Sequence, residues 1–208
     1  MPVNVTLLFS REQYMAAAEA YMRGIERRIA AGFDPKVASV APVFVSRWDA
    51  ALSGELVADL RNRLGIAIAL RIYRSYRGLL TSPRWSKLAA AGARPQRLLW
   101  ASTGTKDPNA SDTLYIEALA APDTINTMPE KTLQAFADHG ALAGPMNVDS
   151  GDAEAVLAGF AQAGIDIDAL AIRLQHDGAR GFVNSWNGLL QRIAEKSAAP
   201  AGAGKEPA

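Results

Sequence analysis

Four short apolar runs alternate along the chain with longer stretches in which apolar residues recur every three or four positions. The runs predict strands over residues 3–9, 37–45, 97–102 and 124–128, because β-branched and aromatic residues cluster there between turn residues. The periodic stretches predict helices over residues 12–31, 55–76 and 129–138, with a helical turn over residues 111–119. Gly32 is predicted to end the first helix, and Pro129 to open the later one.

A strand followed by a helix, repeated four times, indicates parallel βαβ units, because parallel neighbours need a crossover connection and a helix is the usual one. The fold class is therefore predicted as α/β. Three more helical segments follow over residues 153–163, 167–176 and 179–196, with Gly164 and Gly178 as the breaks. We expect one folded unit over residues 1–196 and a flexible tail over residues 197–208, which lack apolar periodicity.

Composition and charge narrow the function classes. The 22 Lys and Arg residues balance 21 Asp and Glu residues and are scattered, so no basic stripe favours nucleic acid or an anionic membrane surface. No apolar stretch approaches the ~18–20 residues that span a bilayer, and no basic segment precedes an apolar one at the amino terminus. We expect a cytoplasmic protein with no membrane partner.

Cysteine is absent and the two histidines, His139 and His176, are far apart. This excludes a disulfide framework and a thiol nucleophile, and it offers no spacing typical of metal ligands. No metal site is predicted.

Polar residues at the carboxyl ends of parallel strands are the strongest candidates for chemistry. Asn4 and Thr6 share one face of the first predicted strand, opposite Val3, Val5 and Leu7. This pattern suggests a polar interior, although both side chains could equally satisfy neighbouring backbone groups or a buried water.

Ser46 and Arg47 end the second strand, and residues 102–106 end the third with hydroxyls, a glycine and a cation. A guanidinium fork, the Lys106 ammonium and a close backbone approach at Gly104 together predict a phosphate or sugar-phosphate site that includes Ser102. The alternative is that both cations are ordinary surface charges, paired as Arg47 with Asp49 and Lys106 with Asp107.

The sequence offers few candidates for an acid, a base or a nucleophile. Glu117, Asp123 and His139 fall in solvated helices or turns, and His139 suits a partner for a helix dipole better than a catalytic base. Lys106 is the one lysine near a strand end, so it is the candidate for Schiff-base chemistry if this chain supplies its own amine. Its loop setting predicts a hydrated, protonated and poorly nucleophilic amine.

Four ordered motifs resemble the last four barrel strands of transaldolases. They are VNVTLLFS at residues 3–10, ASVA with FVSR at residues 38–47, GARPQRLLWASTGTK at residues 92–106, and DTINTMP at residues 123–129. The resemblance implies a TIM (β/α)₈-type barrel of the class I aldolase kind, without metal or organic cofactor. It implies a pentose phosphate pathway transferase that moves a dihydroxyacetone unit from sedoheptulose 7-phosphate or fructose 6-phosphate to an aldose phosphate.

The family's Schiff-base lysine belongs to the fourth strand, which would lie before Val3. The resemblance therefore implies a partial barrel, the carboxyl half, which we expect to be inactive alone. The alternative is a non-catalytic truncated domain or a weak sugar-phosphate binder. Expected partners are sugar phosphates and either an amino-terminal half-barrel or a homodimer partner.

The resemblance also implies individual roles. Asn4 would hydrogen-bond the substrate or imine, and Thr6 would hold the catalytic water. The implied substrate-binding residues are Asn4, Phe44, Arg47, Ser102 and Lys106. Pro42 departs from the pattern, which has a serine there, so one phosphate-side hydroxyl is in doubt. On the barrel's inner side we expect Asn4, Thr6, Phe44 and Asn126, and towards the covering helices Val3, Val5, Leu7 and Leu99.

Overall fold

A computed structural model describes residues 1–52, 58–146 and 152–198. Its strands form one parallel four-stranded sheet with neighbours in chain order. The strands are β1 (Val3–Asn4), β2 (Ser39–Phe44), β3 (Gln96–Ala101) and β4 (Thr124–Asn126). The predicted α/β class with parallel strands is confirmed.

Helices connect the strands and follow the sheet. They are α1 (Arg11–Ala30), α2 (Ser46–Ala50), α3 (Leu64–Leu80), α4 (Pro83–Ala90), α5 (Leu114–Ala118), α6 (Glu130–His139), α7 (Asp152–Gln162) and α8 (Ile167–Ala198). A short 3₁₀ helix (Ala58–Leu60) precedes α3. The helix predicted over residues 55–76 thus begins later than expected, and part of that prediction lies outside the described residues. α2 and α4 were not predicted, because each is too short to show a clear apolar period.

The ends of α1 follow from local chemistry. Ser10 accepts a hydrogen bond from the Gln13 N–H, and the Gln13 side chain accepts from the Ser10 N–H, which is a complete capping box. Gly32 has a φ of 72° just beyond the helix, a conformation that glycine adopts without a Cβ penalty. The predicted end of this helix is confirmed.

The strand predicted over residues 3–9 is much shorter. The ladder between β1 and β2 stops after Asn4 and returns only as an isolated bridge between Leu8 and Val43. Leu7 lies between them with a φ of 60°, which ends the in-and-out alternation of side chains. The interruption falls opposite Pro42, which has no N–H to donate to the ladder.

The predicted helix break at Gly178 is wrong, because α8 runs through it without interruption. Gly178 is buried, and a Cβ there would lie 2.6 Å from Leu7 Cδ2 and 3.3 Å from an Arg47 nitrogen. Close packing, not a turn, accounts for this glycine. The predicted tail is helical at residues 197–198, and residues 199–208 lie outside the described residues.

The two faces of the sheet are defined by the register, because paired residues of parallel strands point to the same side. The covered face carries Ala41, Val43, Leu98 and Trp100, which form the core with α1 and α3. The open face carries Asn4, Val40, Phe44, Arg97 and Leu99. Asn4 and Phe44 thus share a face, as predicted. The placements of Asn126 and Leu99 were wrong, because Asn126 is in register with Trp100, and Leu99 with Pro42.

Among the described residues, no single helix has both the length and the apolar character needed to cross a membrane. Only α7 and α8 taken together, with a 90° bend between them, satisfy that criterion by length and composition. Val156, Leu157 and Phe160 of α7 are core residues that pack against the rest of the chain.

Candidate functional site

The ends of β2 and β3 are joined by hydrogen bonds that continue beyond the regular strands. The Val45 N–H donates to the Ala101 carbonyl (3.0 Å), and the Ser46 N–H donates to the Ser102 carbonyl (3.0 Å). The hydroxyls of Ser46 and Ser102 also lie 3.0 Å apart. Because Arg47 follows Ser46 directly, these bonds bring two of the predicted phosphate ligands, Arg47 and Ser102, to adjacent strand ends.

Ser102 itself has a left-handed backbone with a φ of 58°. That conformation costs a residue with a Cβ roughly 1–2 kcal/mol, so the surrounding contacts must hold it. The paired bonds to Ser46 supply two such contacts. Strained residues of this kind concentrate at functional sites.

Arg47 lies in α2, half-buried, with its guanidinium carbon 4.6 Å from the centre of the Phe44 ring. This cation–π contact holds the guanidinium against the Phe44 ring. Phe44 in turn stacks on Phe9, with ring centres 5.4 Å apart. The aromatic pair therefore acts as a support for Arg47.

Asp49 does not serve as the partner of Arg47 that the alternative interpretation required. Its buried carboxylate accepts hydrogen bonds from the N–H groups of Leu64 (3.0 Å) and Gly65 (3.2 Å) and from the Tyr115 hydroxyl (2.8 Å). Burial raises the pKa of Asp49, and these three donors oppose that rise. The carboxylate thereby ties α2, which carries Arg47, to the start of α3 and to α5.

Gly65 makes this arrangement possible. A Cβ at this position would lie 2.6 Å from the Val45 carbonyl oxygen and 2.8 Å from the Asp49 carboxylate. Only glycine lets α3 approach so closely. Nothing in the spacing of Asp49, Gly65 and Tyr115 along the sequence indicates that they meet, so sequence reasoning missed this anchor.

The loop after β3 is fixed at its beginning and exposed further along. The buried Thr103 hydroxyl lies 2.9 Å from both the Asn126 side-chain oxygen and the Thr127 carbonyl. Lys106 is exposed. Asp107 accepts from the Asn62 amide (2.8 Å), which, together with the Asn109 N–H, lowers the Asp107 pKa. The structure thus places Lys106 in the same loop as Ser102.

The residues of the first strand lie apart from this hydrogen-bonded centre. Asn4 and Thr6 are both exposed, beside the edge of the sheet. The Gln175 amide of α8 donates to the Leu7 carbonyl (2.9 Å), so α8 holds the chain where β1 ends. Pro42 lies in the middle of β2 in register with Leu99, where it offers no hydroxyl.

The acid–base candidates have other partners. Glu117 accepts from the Thr113 hydroxyl (2.8 Å) and the Ala141 N–H (3.1 Å), and Asp123 pairs with Arg77. His139, the last residue of α6, contacts Asp112 (2.9 Å) and Asp138 (3.2 Å), and these carboxylates raise its pKa. In the part of the chain that the structure describes, no group of three or more His, Cys, Asp or Glu side chains could hold a metal ion.

Comparison with known proteins shows extensive similarity. Residues 1–193 match the family model described as Transaldolase/Fructose-6-phosphate aldolase. The chain is 48% identical over 203 residues to the transaldolase of Parafrankia sp. (strain EAN1pec), covering 93% of this chain and 55% of that protein. It is 45% identical over 199 residues to the transaldolase of Thiobacillus denitrificans, covering 92% of this chain and 55% of that protein. The chain therefore spans about half the length of the curated relatives it matches.

Proposed function

The chain belongs to the transaldolase/fructose-6-phosphate aldolase family, and from that premise we propose that it supplies the phosphate-binding part of a transaldolase site. In this proposal the chain forms the carboxyl half of a TIM barrel. Arg47, Ser102 and Lys106 bind the substrate phosphate, and Phe44 orients Arg47. Asn4 and Thr6 contact the reacting end of the sugar and its catalytic water.

The proposed reaction requires an amine, and we assign that role to a lysine outside this chain and not to the exposed Lys106. In the proposed transfer, a lysine of the complementary half-barrel forms a Schiff base with a ketose phosphate, whose carbon–carbon bond then breaks. The dihydroxyacetone unit passes to an aldose phosphate. We expect this chain alone to be inactive, because without that amine no imine can accept the electron pair.

The single observation that supports the phosphate site is the pairing of Ser46 with Ser102. It holds a half-buried guanidinium and a serine hydroxyl at adjacent ends of parallel strands. Anions bind at such ends in parallel α/β sheets. The guanidinium supplies a planar fork of donors that matches phosphate oxygens.

The expected affinity is modest. Each charge-assisted hydrogen bond contributes roughly 1.5–3 kcal/mol when well formed. Water on the open face weakens these bonds, and ordering the exposed loop around Lys106 costs entropy. We therefore expect millimolar binding, about 4 kcal/mol.

Titration with inorganic phosphate and with fructose 6-phosphate, followed by amide NMR shifts, tests the site. Shifts should concentrate on residues 102–106. Arg47→Ala should weaken binding at least about tenfold, which corresponds to the ~1.4 kcal/mol of one lost contact. Arg97→Ala is the matched control, because Arg97 is exposed at the other end of the same sheet. Equal binding by both variants would contradict the proposal.

A coupled assay with fructose 6-phosphate and erythrose 4-phosphate tests the catalytic part. The chain alone should show no turnover. Adding the portion of the Parafrankia transaldolase that lies outside the matched stretch should restore activity if the two parts assemble. Turnover by the chain alone would show that it is a complete catalyst.

A second candidate for the Schiff-base amine is Lys106 itself. It is exposed and can be trapped directly. Borohydride trapping with a ketose phosphate, followed by peptide mapping, should give no adduct on Lys106. An adduct on Lys106 would contradict the proposal that the Schiff-base lysine lies outside this chain. Phosphate binding without activity in any combination would instead favour a weak, non-catalytic sugar-phosphate binder.

A further inference from the structure

The start of α3 holds the loop after β3 as well as α2. The side-chain amide of Asn62, two residues before the helix, donates to the Asp107 carboxylate at 2.8 Å. Asp107 directly follows Lys106, which is exposed and belongs to the proposed phosphate site. The loop that carries Lys106 is therefore tied to α3 by a contact between residues 45 positions apart.

The same helix start also holds the other cation of the proposed site. The first two N–H groups of α3 donate to the Asp49 carboxylate, at 3.0 and 3.2 Å, and Asp49 follows Arg47 by two residues. Hydrogen bonds to a carboxylate are stronger than those between neutral groups. Residues 62–65 thus hold two separate elements, each through an aspartate beside a cation. The separation of the two cations therefore depends on this one segment.

The Asp107 carboxylate is engaged through both of its oxygens. Oδ2 accepts from the Asn62 amide, and Oδ1 accepts from the Asn109 N–H at 2.9 Å. These donors lower the pKa of Asp107, because they stabilise its charged form. Each oxygen therefore has a donor other than Lys106. A carboxylate engaged in this way competes less with a phosphate for the neighbouring ammonium group.

The loop is held on both sides of Lys106. On one side, the Thr105 hydroxyl donates to the Ser111 carbonyl at 2.7 Å. On the other side, Asp107 is held by Asn62. The backbone at Lys106 thus lies between two restrained residues, while its side chain is exposed. Removing the Asn62 amide would take away one of these two restraints.

The backbone of Asn62 allows the amide contact to be tested separately. Asn62 has a φ of 58°, in the left-handed region that is unfavourable for most residues with a Cβ. Glycine adopts this conformation without that cost. Asn62→Gly therefore keeps the backbone geometry and removes the side chain that binds Asp107. An alanine in its place would add backbone strain to the loss of the contact.

We propose that Asn62 is a positioning residue of the phosphate site, which sets the place of Lys106 relative to Arg47 by holding Asp107 at the start of α3. The inference rests on the proposed function, because it takes Arg47 and Lys106 as phosphate ligands. It adds that a residue outside both strand ends decides how well the two cations bind one phosphate. Asn62 itself does not touch the ligand in this proposal.

Titration of Asn62→Gly with inorganic phosphate, followed by amide NMR shifts, tests the inference. We expect binding to weaken at least about threefold, the size of one exposed charge contact. Asp123→Gly is the matched control. Asp123 also has a left-handed backbone, with a φ of 62°, and its side chain pairs with Arg77 near the other end of α3. This control should bind phosphate within about 1.5-fold of the wild type, because it lies far from both cations.

A double-mutant cycle with Lys106→Gln separates positioning from a general effect on the fold. Lys106→Gln should by itself weaken phosphate binding by a factor similar to that of Asn62→Gly. If Asn62 acts through Lys106, adding Asn62→Gly to the Lys106→Gln background should change the affinity by less than about 1.5-fold. An undiminished loss in that background would show that Asn62 acts on the fold generally, and would overturn the inference.

The mobility of the loop gives a second measurement that needs no anion. In Asn62→Gly, the ¹H–¹⁵N heteronuclear NOE should fall at residues 105–109, because one restraint on the loop is lost. In Asp123→Gly, the NOE values of these residues should match the wild type. Unchanged values in Asn62→Gly would show that the amide does not hold the loop, and would also overturn the inference.

Failure of the inference is distinguishable from failure of the proposed function. Equal phosphate binding by Asn62→Gly and Asp123→Gly, with weaker binding by Arg47→Ala, would contradict only the inference. Equal binding by Arg47→Ala and Arg97→Ala would contradict the proposed function, whatever the result for Asn62→Gly.

Discussion

The covered and open faces of the sheet come from the same strands yet differ in the exposure of their side chains. Ala41, Val43, Leu98 and Trp100 on the covered face are each at most 1% exposed. On the open face, Asn4 and Arg97 are exposed and Phe44 is half-buried. The covered face stabilises the fold by excluding water, whereas the open face presents groups that can bind a ligand or a partner.

The comparison shows how a site can be prepared by residues that never touch its ligand. The guanidinium of Arg47 belongs to the open face, through its contact with Phe44. The helix that carries Arg47 is held from the other direction, by Asp49 and its donors on α3 and α5. Stability and proposed function are thus separable by substitution.

The largest expected effect comes from Trp100→Ala on the covered face. Removing this fully buried ring should reduce the free energy of unfolding by about 3–5 kcal/mol, because the neighbours cannot fill the cavity. Arg97→Ala on the open face should change it by less than about 0.5 kcal/mol. Urea unfolding followed by circular dichroism measures both, and similar losses would remove the distinction between the faces.

Tyr115→Phe should have the next largest effect. The substitution removes a hydrogen-bond donor to the buried Asp49 carboxylate. It should therefore reduce the free energy of unfolding by about 1.5–3 kcal/mol. Tyr21→Phe is the control, because the single Tyr21 hydroxyl proton is shared between the neutral carbonyls of Val37 and Arg94. This substitution should reduce the free energy of unfolding by only about 0.5–1.5 kcal/mol.

The pH dependence of the Tyr115→Phe loss sharpens this test. Burial raises the pKa of Asp49 in the folded state above its value in the unfolded chain. As the pH rises above the unfolded-state value, ionisation of Asp49 therefore lowers the free energy of unfolding. Without the tyrosine donor, this lowering should be larger. The deficit of the variant in urea unfolding should therefore shrink as the pH falls and the carboxyl takes up its proton. A deficit independent of pH would argue against a charged Asp49.

Two glycines of α3 form a matched pair. Gly65→Ala should destabilise the protein by about 1–3 kcal/mol, because the new methyl group meets the Val45 carbonyl and the Asp49 carboxylate. At Gly78 a Cβ would point into open space, with no group from outside its own stretch of helix within 4 Å. Gly78→Ala should therefore stabilise the helix by about 0.5–1 kcal/mol. In thermal unfolding, Gly65→Ala should lower the melting temperature and Gly78→Ala should raise it. A lower melting temperature in both variants would contradict this prediction.

The smallest effect is expected at His139, which is exposed. Asp112 and Asp138 raise its folded-state pKa above the ordinary 6.5, so its contribution to stability is present below that value. The contribution is lost as the pH rises through the raised pKa. The difference in melting temperature between the wild type and His139→Ala should therefore be larger at about pH 5.5 than at about pH 9. His176→Ala, an exposed change on α8, is the control.

Local patterns predicted what local forces decide. Apolar periodicity and Gly32 located α1, and the alternation of strands and helices predicted the parallel α/β class. The Ser46 and Ser102 strand ends were predicted to meet because carboxyl ends of parallel strands share one edge. These features depend on neighbours in sequence or on a general rule of sheet topology.

Tertiary contacts decided the rest. Gly178 was predicted to end a helix, but the approach of Leu7 and Arg47 gives this glycine a packing role within α8. Leu7 left the predicted strand because the ladder is interrupted opposite Pro42 and α8 holds its carbonyl.

The sequence by itself determined the alternation of strands and helices, the charge balance, the absence of cysteine and the resemblance to transaldolases. Only the tertiary structure decided which face each strand residue occupies, because a shift of one residue in register reverses every side chain. It alone brought Asp49, Gly65 and Tyr115 together, and it alone joined Asn62 to Asp107. Those contacts join residues far apart along the chain, and their free energies depend on distances that no local pattern encodes.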